Sequence, residues 1–202
     1  MAKSNSIKDY FVKPIVTRLT DEEAKLRKYI MNYIITNHKP YFPNNNYAKE
    51  LLNNMVNKDI LSVNNNKVIS VYPISVMETD KKIIFEDGNY GYALCAIDAI
   101  GFHYTFMKPI TIESKCKWCN EKIIINVKNG VIDVVEGGEN IVILHTDLEN
   151  SKSWSCNCCK IMHFFKSKEN LEKWKFKNNI QQKTLSIDLE TANKISWLLF
   201  SR

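Results

Sequence analysis

A cysteine and an aspartate three positions apart interrupt an apolar segment in the middle of the chain. These residues are Cys95 and Asp98, and the segment around them predicts a short buried helix that begins at position 90 or 91 and is closed by Gly101 as its C-cap. On a helix, residues three apart lie on one face with Cβ atoms about 5–6 Å apart, so the thiol and the carboxyl would meet. The positive end of the helix dipole would also favour the thiolate. A simpler interpretation is a small buried hydrophobe beside a capped or solvated acid, because C-x-x-D is a weak pattern.

The other five cysteines follow in two groups. They are Cys116, Cys119, Cys156, Cys158 and Cys159, and the first 94 residues contain no cysteine. Paired cysteine knuckles commonly present four thiolates to a tetrahedral zinc ion. Because the adjacent Cys158 and Cys159 cannot both point the same way, one of the five thiols remains available for chemistry.

Composition and charge narrow the class of protein. With 202 residues, 45% hydrophobic and 25% charged, the chain has an ordinary folded composition, which argues against a disordered or fibrous protein. The net charge of +6 includes only three arginines, the residues best suited to planar recognition of phosphate and guanine, so we expect no DNA partner. No apolar run approaches the roughly 18 residues of a membrane span. We therefore expect a cytoplasmic protein with no membrane partner, in which thiols stay reduced and serve metals or catalysis.

The first part of the chain predicts helices followed by a hairpin. Thr20 and Glu23 have the spacing of a capping box at the start of a helix that ends near Asn37. A second helix is predicted over residues 46–57, and two strands flank an Asn-rich turn at 64–66. These elements predict a winged-helix-like N-terminal module over residues 1–75.

The second part, residues 76–202, predicts a sheet with flanking helices. Strands are expected over 83–85, 110–113, 122–127, 131–136 and 141–144, and helices over 169–176 and 189–200. The fold class is therefore α+β, with the N-terminal module followed by a mixed β-sheet core. His163 precedes Phe164 and Phe165 in an apolar stretch, so we expect it to support the core rather than bind a metal.

Three stretches of the sequence form a recognisable set: Tyr92–Gly101 (YALCAIDAIG), the preceding Val71–Ser75 (VYPIS) and the later Cys159–Phe165 (CKIMHFF). From about Val68 to Phe200, the chain with these stretches resembles the alkylmercury lyase (organomercurial lyase) family. The resemblance implies a winged-helix-like module joined to a mixed sheet, and an enzyme that cleaves carbon–mercury bonds without a cofactor. By position it makes Cys95 and Cys159 the catalytic cysteines, Asp98 the catalytic acid, and Cys116 a structural cysteine.

Elementary chemistry agrees with this implied activity. Mercury(II) is a soft ion and thiolates are its natural ligands. In the mechanism that the resemblance suggests, one thiol captures the organomercurial and gives its proton to Asp98, the second thiol adds, and Asp98 protonates the leaving carbon. Mercury(II) is then held by Cys95 and Cys159 until small thiols or a mercuric reductase accept it.

The thiols that the family does not require leave three alternatives. Either Cys116, Cys119, Cys156 and Cys158 hold a structural zinc and Cys159 is catalytic, or Cys159 replaces Cys158 in the zinc set and the lyase site is compromised. In the third alternative the extra thiols carry no metal and relay mercury out of the site. The match at the Cys159–Phe165 stretch favours a catalytic Cys159. The alternative function is a non-catalytic zinc-ribbon-type metal-binding or regulatory protein on the same fold.

Overall fold

The computed structural model of the protein describes residues 13–148, 154–181 and 183–201, except for the side chain of Cys156. After a short 3-10 turn at Ile15–Arg18, helix α1 spans Asp21–Asn37 and helix α2 spans Asn46–Asn57. The predicted capping box is present, since the Glu23 N–H donates to Oγ1 of Thr20 and the Thr20 N–H donates to Oε2 of Glu23. Both helices are confirmed, and the winged-helix identity of this region stays a prediction.

Eight strands form the main sheet. They are β1 (Leu61–Asn64), β2 (Lys67–Val71), β3 (Ile74–Ser75), β4 (Lys81–Phe85), β5 (Tyr90–Ala93), β6 (Ile110–Lys115), β7 (Lys122–Lys128) and β8 (Val131–Glu136). Their order in the sheet is β1-β2-β3-β5-β4-β6-β7-β8. A second sheet has the order β10-β9-β11, with β9 at Val142–Thr146, β10 at Phe164–Phe165 and β11 at Thr184–Asp188.

The described strand pairs in both sheets are antiparallel, so the predicted mixed sheet is wrong in this respect. The reason is the length of the connections. Most neighbours in the main sheet are joined by turns of a few residues, and such turns connect antiparallel strands, whereas parallel neighbours need a long crossover. The α+β class itself is confirmed.

The main sheet continues across the predicted domain boundary at residue 75. Ile74 and Ser75 of β3 pair with Ala93 and Tyr92 of β5. Buried residues from both sides of the boundary also belong to one hydrophobic core. The two predicted domains thus share a sheet and a core, and the division itself stays a prediction.

The segment around Cys95 differs in part from the prediction. The helix expected over 90–100 is confirmed from Ala96 to Ile100, inside helix α3 (Ala96–Phe106), but its first part is wrong because residues Tyr90–Ala93 form β5. Pairing of β5 with β4 and β3 outweighs the helical pattern of the apolar residues. Gly101 lies inside α3 and not at its end, and the left-handed C-cap is Met107.

Gly101 instead permits close packing of two helices. A Cβ atom at this position would lie 2.3 Å from Cδ2 of Phe200, in helix α5 (Leu189–Phe200). The same interface contains a hydrogen bond of 3.0 Å from Oγ of Ser196 to the carbonyl oxygen of Ile97. Helix α4 (Lys168–Lys177) completes the fold. Within the described ranges, none of the helices has the length and apolarity that a membrane span requires.

Candidate active site

The structure brings Cys95, Asp98 and Cys159 together. A sulfur or carboxylate oxygen from each lies within 4.8 Å of the others. All three are buried, with relative exposures of 1%, 3% and 5%. Two thiols and a carboxyl therefore lie together in one buried cluster, as the family resemblance implies. We call these three residues the trio.

The start of helix α3 positions two members of the trio. Cys95 is the N-cap residue, with the extended backbone usual for that position, and its Sγ accepts the Asp98 N–H at 3.3 Å. Serine, threonine, aspartate and asparagine usually make this contact. A cysteine in their place puts its sulfur over the first turn, where Asp98 stands.

The segment 154–163 positions the third member. Residues Trp154–Cys158 form a π-helical turn, and the Cys159 N–H donates to the Trp154 carbonyl at 2.7 Å. The Ala96 N–H donates to the Met162 carbonyl at 2.9 Å, which fastens this segment to the start of α3. The Cys159 thiol then donates to Oδ2 of Asp98 at 3.5 Å.

Burial dominates the electrostatics of the trio. Desolvation raises the pKa of Asp98 to about 7, although hydrogen bonds from Cys95 and Cys159 and the positive charge of Lys81 act in the opposite direction. Burial raises the pKa of Cys95, and a hydrogen bond with Cys95 together with burial raises the pKa of Cys159 well above its ordinary value. The expected stabilisation of a Cys95 thiolate by the helix N-terminus is outweighed. Near neutral pH both thiols hold their protons and Asp98 is poised to exchange one.

A buried lysine stands beside the trio, and the sequence did not single it out. Nζ of Lys81 lies 2.5 Å from Oδ1 of Asp80 and 3.2 Å from Nδ1 of His163, and Nζ of Lys117 lies 3.1 Å from Oδ2 of Asp80. Burial and the two ammonium groups lower the pKa of His163 to about 3, so its imidazole is neutral. The alternation of residues along β4 could have indicated that this lysine is buried. Lys81 lies on the same inward face of the strand as Ile83 and Phe85.

Tyr72 is a second neighbour that was not singled out. Its side chain is buried, and its ring centroid lies 5.5 Å from that of Trp154. Burial, followed by the nearby charges of Cys159, Asp59 and Asp98, raises the pKa of its hydroxyl. Tyr72 thus places a buried, uncharged aromatic side chain near the trio.

The described side chains of Cys116, Cys119 and Cys158 lie outside the trio. The Cys116 and Cys119 sulfurs both accept hydrogen bonds from Nδ2 of Asn170, whereas Sγ of Cys158 lies 3.9 Å from the carbonyl oxygen of Asp147. Among the described side chains, Cys158 does not join Cys116 and Cys119 in a group of three metal-ligating atoms.

Neither zinc set is assembled by the described residues. Cys156, which both sets need, has a side chain outside the described part of the structure. The set with Cys159 is not supported, because that thiol lies with Cys95 and Asp98. The set of Cys116, Cys119, Cys156 and Cys158 stays a prediction.

Comparisons with known proteins agree on one family for this chain. A sequence model of the alkylmercury lyase family matches residues 74–201. Alkylmercury lyases of Bacillus cereus and Clostridium butyricum are each 33% identical to the chain over 90 residues, which is 44% of this chain and 40% of each relative. The match thus spans less than half the length of these curated relatives.

A solved structure extends the likeness to the whole fold. The crystal structure of the mercury-bound form of MerB2 matches with a TM-score of 0.72 and 19% sequence identity, over 90% of this chain and 91% of that one. At this identity the likeness establishes the fold alone. The family match, in contrast, covers more than half of the sequence and includes all three residues of the trio. The chain therefore belongs to the alkylmercury lyase family.

Proposed function

We propose that this protein is an organomercurial lyase that cleaves carbon–mercury bonds by protonolysis, with Cys95, Asp98 and Cys159 as its catalytic residues. The observation that carries the proposal is the enclosure of two thiols and one carboxyl within 4.8 Å of one another. Thiolates are the ligands that a soft mercury ion prefers. A carboxyl whose pKa is about 7 can accept and release a proton near neutral pH, as a general acid must.

The first step is ligand exchange at mercury. A substrate R–Hg–X meets one of the two cysteines, a sulfur–mercury bond forms, and the displaced X leaves with one proton. Because this proton leaves with X, the Asp98 carboxylate, which accepts the Cys159 S–H, stays able to take the proton of the second thiol. Mercury stays in the +2 state.

The second step breaks the carbon–mercury bond. The other thiol adds to mercury, its proton passes to Asp98, and the added electron density makes the bound carbon basic. Asp98 then protonates this carbon, the hydrocarbon R–H leaves, and Hg(II) remains on Cys95 and Cys159. Two thiols and R–Hg–X are thus converted into R–H, HX and a mercury dithiolate.

The same account defines the partners. Because three side chains supply both sulfur ligands and the proton, we propose that catalysis needs no cofactor. Small thiols or a mercuric reductase are the proposed acceptors of Hg(II), and detoxification of mercury in the cytoplasm is the proposed role. DNA is not a proposed partner, because the basic surface rests on lysine and contains few arginines.

The test is release of hydrocarbon. Purified protein is incubated with phenylmercury acetate and excess monothiol, and benzene is measured by gas chromatography. We expect repeated turnover in the native chain and none above background in Cys95→Ala. A native chain that releases no more benzene than Cys95→Ala would contradict the proposal and favour the non-catalytic metal-binding alternative.

A further inference from the structure

Cys116 and Cys119 form a compact dithiol turn outside the trio. The turn follows β6 and is closed by two backbone hydrogen bonds, from the Asn120 N–H to the Cys116 carbonyl at 2.9 Å and from the Cys116 N–H to the Glu121 carbonyl at 2.8 Å. Cys116 is fully buried and Cys119 is partly exposed. One sulfur is thus anchored in the core and the other reaches toward the surface.

A side chain from another element holds the two sulfurs together. Nδ2 of Asn170 donates to Sγ of Cys116 at 3.5 Å and to Sγ of Cys119 at 3.6 Å. Asn170 is fixed in the first turn of α4, where its backbone N–H donates to Oγ of Ser167 at 3.2 Å. The position of the dithiol therefore depends on packing between the turn and α4, and not on the turn alone.

A backbone N–H also points at the Cys116 sulfur. The Lys166 N–H donates to this sulfur at 3.5 Å. Soft metal ions prefer sulfur ligands.

The number of ligands points to one class of metal. A structural zinc ion takes four protein ligands. In the described part of the chain, Cys116 and Cys119 belong to no group of three or more ligand atoms that all lie within 4.8 Å of one another, although the Glu121 carboxylate hydrogen-bonds with Cys119. Mercury(II), in contrast, is satisfied by two thiolates in linear coordination. We infer that Cys116 and Cys119 form a second mercury(II) site, separate from the trio.

Binding at this site is a simple exchange of ligands. The two sulfurs give up whatever protons they carry, two sulfur–mercury bonds form, and the two ligands that accompany Hg(II) leave with those protons. No electron is transferred and no carbon–mercury bond is broken. The inference goes beyond the proposed lyase activity and holds for inorganic Hg(II) alone.

The experiment removes the trio and asks whether mercury is still retained. The full chain carrying Cys95→Ser and Cys159→Ser is mixed with mercuric chloride, challenged with millimolar glutathione, desalted and analysed for mercury per chain. Two sulfurs on one turn should hold Hg(II) against a free monothiol, because the second bond forms at a high effective concentration. We expect one retained Hg(II) per chain, with two sulfur ligands by X-ray absorption.

Two further variants in the same background locate the ion. Addition of Cys119→Ser should abolish retention, since a single sulfur cannot compete with excess glutathione, and the partly exposed position tolerates serine. Addition of Cys158→Ser is the matched control and should leave one Hg(II) per chain. Circular dichroism checks that each variant is folded. No retention in the starting background, retention that survives Cys119→Ser, or loss with Cys158→Ser would each overturn the inference.

Discussion

The Cys159 thiol donates to Oδ2 of Asp98 at 3.5 Å, although 61 positions separate the two residues. The Asp98 N–H in turn donates to Sγ of Cys95. One residue is therefore in contact with both sulfurs, through its carboxylate on one side and its backbone on the other. This arrangement gives a thiol proton a direct route to the carboxyl that is proposed to protonate carbon.

Separate serine substitutions of the adjacent Cys158 and Cys159 distinguish the roles of these two residues. Cys159→Ser removes a mercury ligand that touches Asp98, so we expect benzene release from phenylmercury to fall by about 100-fold or more. Cys158→Ser changes a sulfur that lies 3.9 Å from the carbonyl oxygen of Asp147, and we expect release within about twofold of the native chain. Equal losses in both variants would remove the distinction between them.

The pH dependence of stability reports on the buried carboxyl. The pKa of Asp98 is about 7 in the folded chain against an ordinary value of 3.8, so the folded state holds this proton more tightly than the unfolded state. The contribution of the Asp98 proton to the free energy of unfolding is therefore lost as pH rises from about 4 to 7.

Asp98→Asn removes this titration. We expect the variant to gain stability over the native chain across that range, by about 4 kcal/mol at most at pH 8. Urea unfolding at pH 5 and pH 8 measures the difference in the free energy of unfolding between the variant and the native chain. A difference that is the same at both pH values would contradict a raised pKa for Asp98 in the folded chain.

Lys81 and Lys117 both contact Asp80 but differ in burial. Lys81 is 2% exposed, whereas the Lys117 side chain is 36% exposed. Breaking a buried ion pair by removing one partner costs about 3–5 kcal/mol, whereas exposed pairs contribute about 0–1 kcal/mol. We expect Lys81→Met to lower the free energy of unfolding by about 3 kcal/mol and Lys117→Met by less than about 1 kcal/mol. Equal effects in urea titrations would show that burial of Lys81 is not the source of its contribution.

The contact between Gly101 and Phe200 gives a test of helix packing. Gly101→Ala would place a methyl group 2.3 Å from the Phe200 ring, so we expect a loss of about 1–3 kcal/mol in the free energy of unfolding. Phe200→Leu in the same chain should relieve the clash. The double variant should then be destabilised by less than the sum of the two single changes. Simple additivity would mean that the two side chains do not meet.

The sequence was sufficient to predict those parts of the structure that are formed by residues close together in the chain. The Thr20 and Glu23 capping box and the Asn-rich hairpin turn are specified by neighbouring residues and were predicted correctly. The first half of the helix predicted over 90–100 was wrong, because these residues form β5 and pair with β4, which lies several residues earlier in the chain. A pattern of apolar residues cannot reveal such pairing, since buried strands and buried helices look alike over short spans.

The site was predictable in part for the same reason. Cys95 and Asp98 were recognised because they lie close together in the sequence, and Cys159 because its flanking stretch resembles a family. Lys81 belongs to no recognisable sequence motif. Its place near the site becomes visible only in the fold, where β4 brings it beside His163. Its alternation with Ile83 on one strand face was the only local hint.

A single turnover without added thiol tests the central claim most directly. The native chain is mixed with one equivalent of phenylmercury in D2O, and benzene and protein-bound mercury are analysed together. We predict one monodeuterated benzene per chain and one Hg(II) left on the protein with two sulfur ligands, whereas Asp98→Asn should hold phenylmercury and release little benzene. Phenylmercury that stays intact on the native chain, or benzene release that is unchanged in Asp98→Asn, would contradict the account.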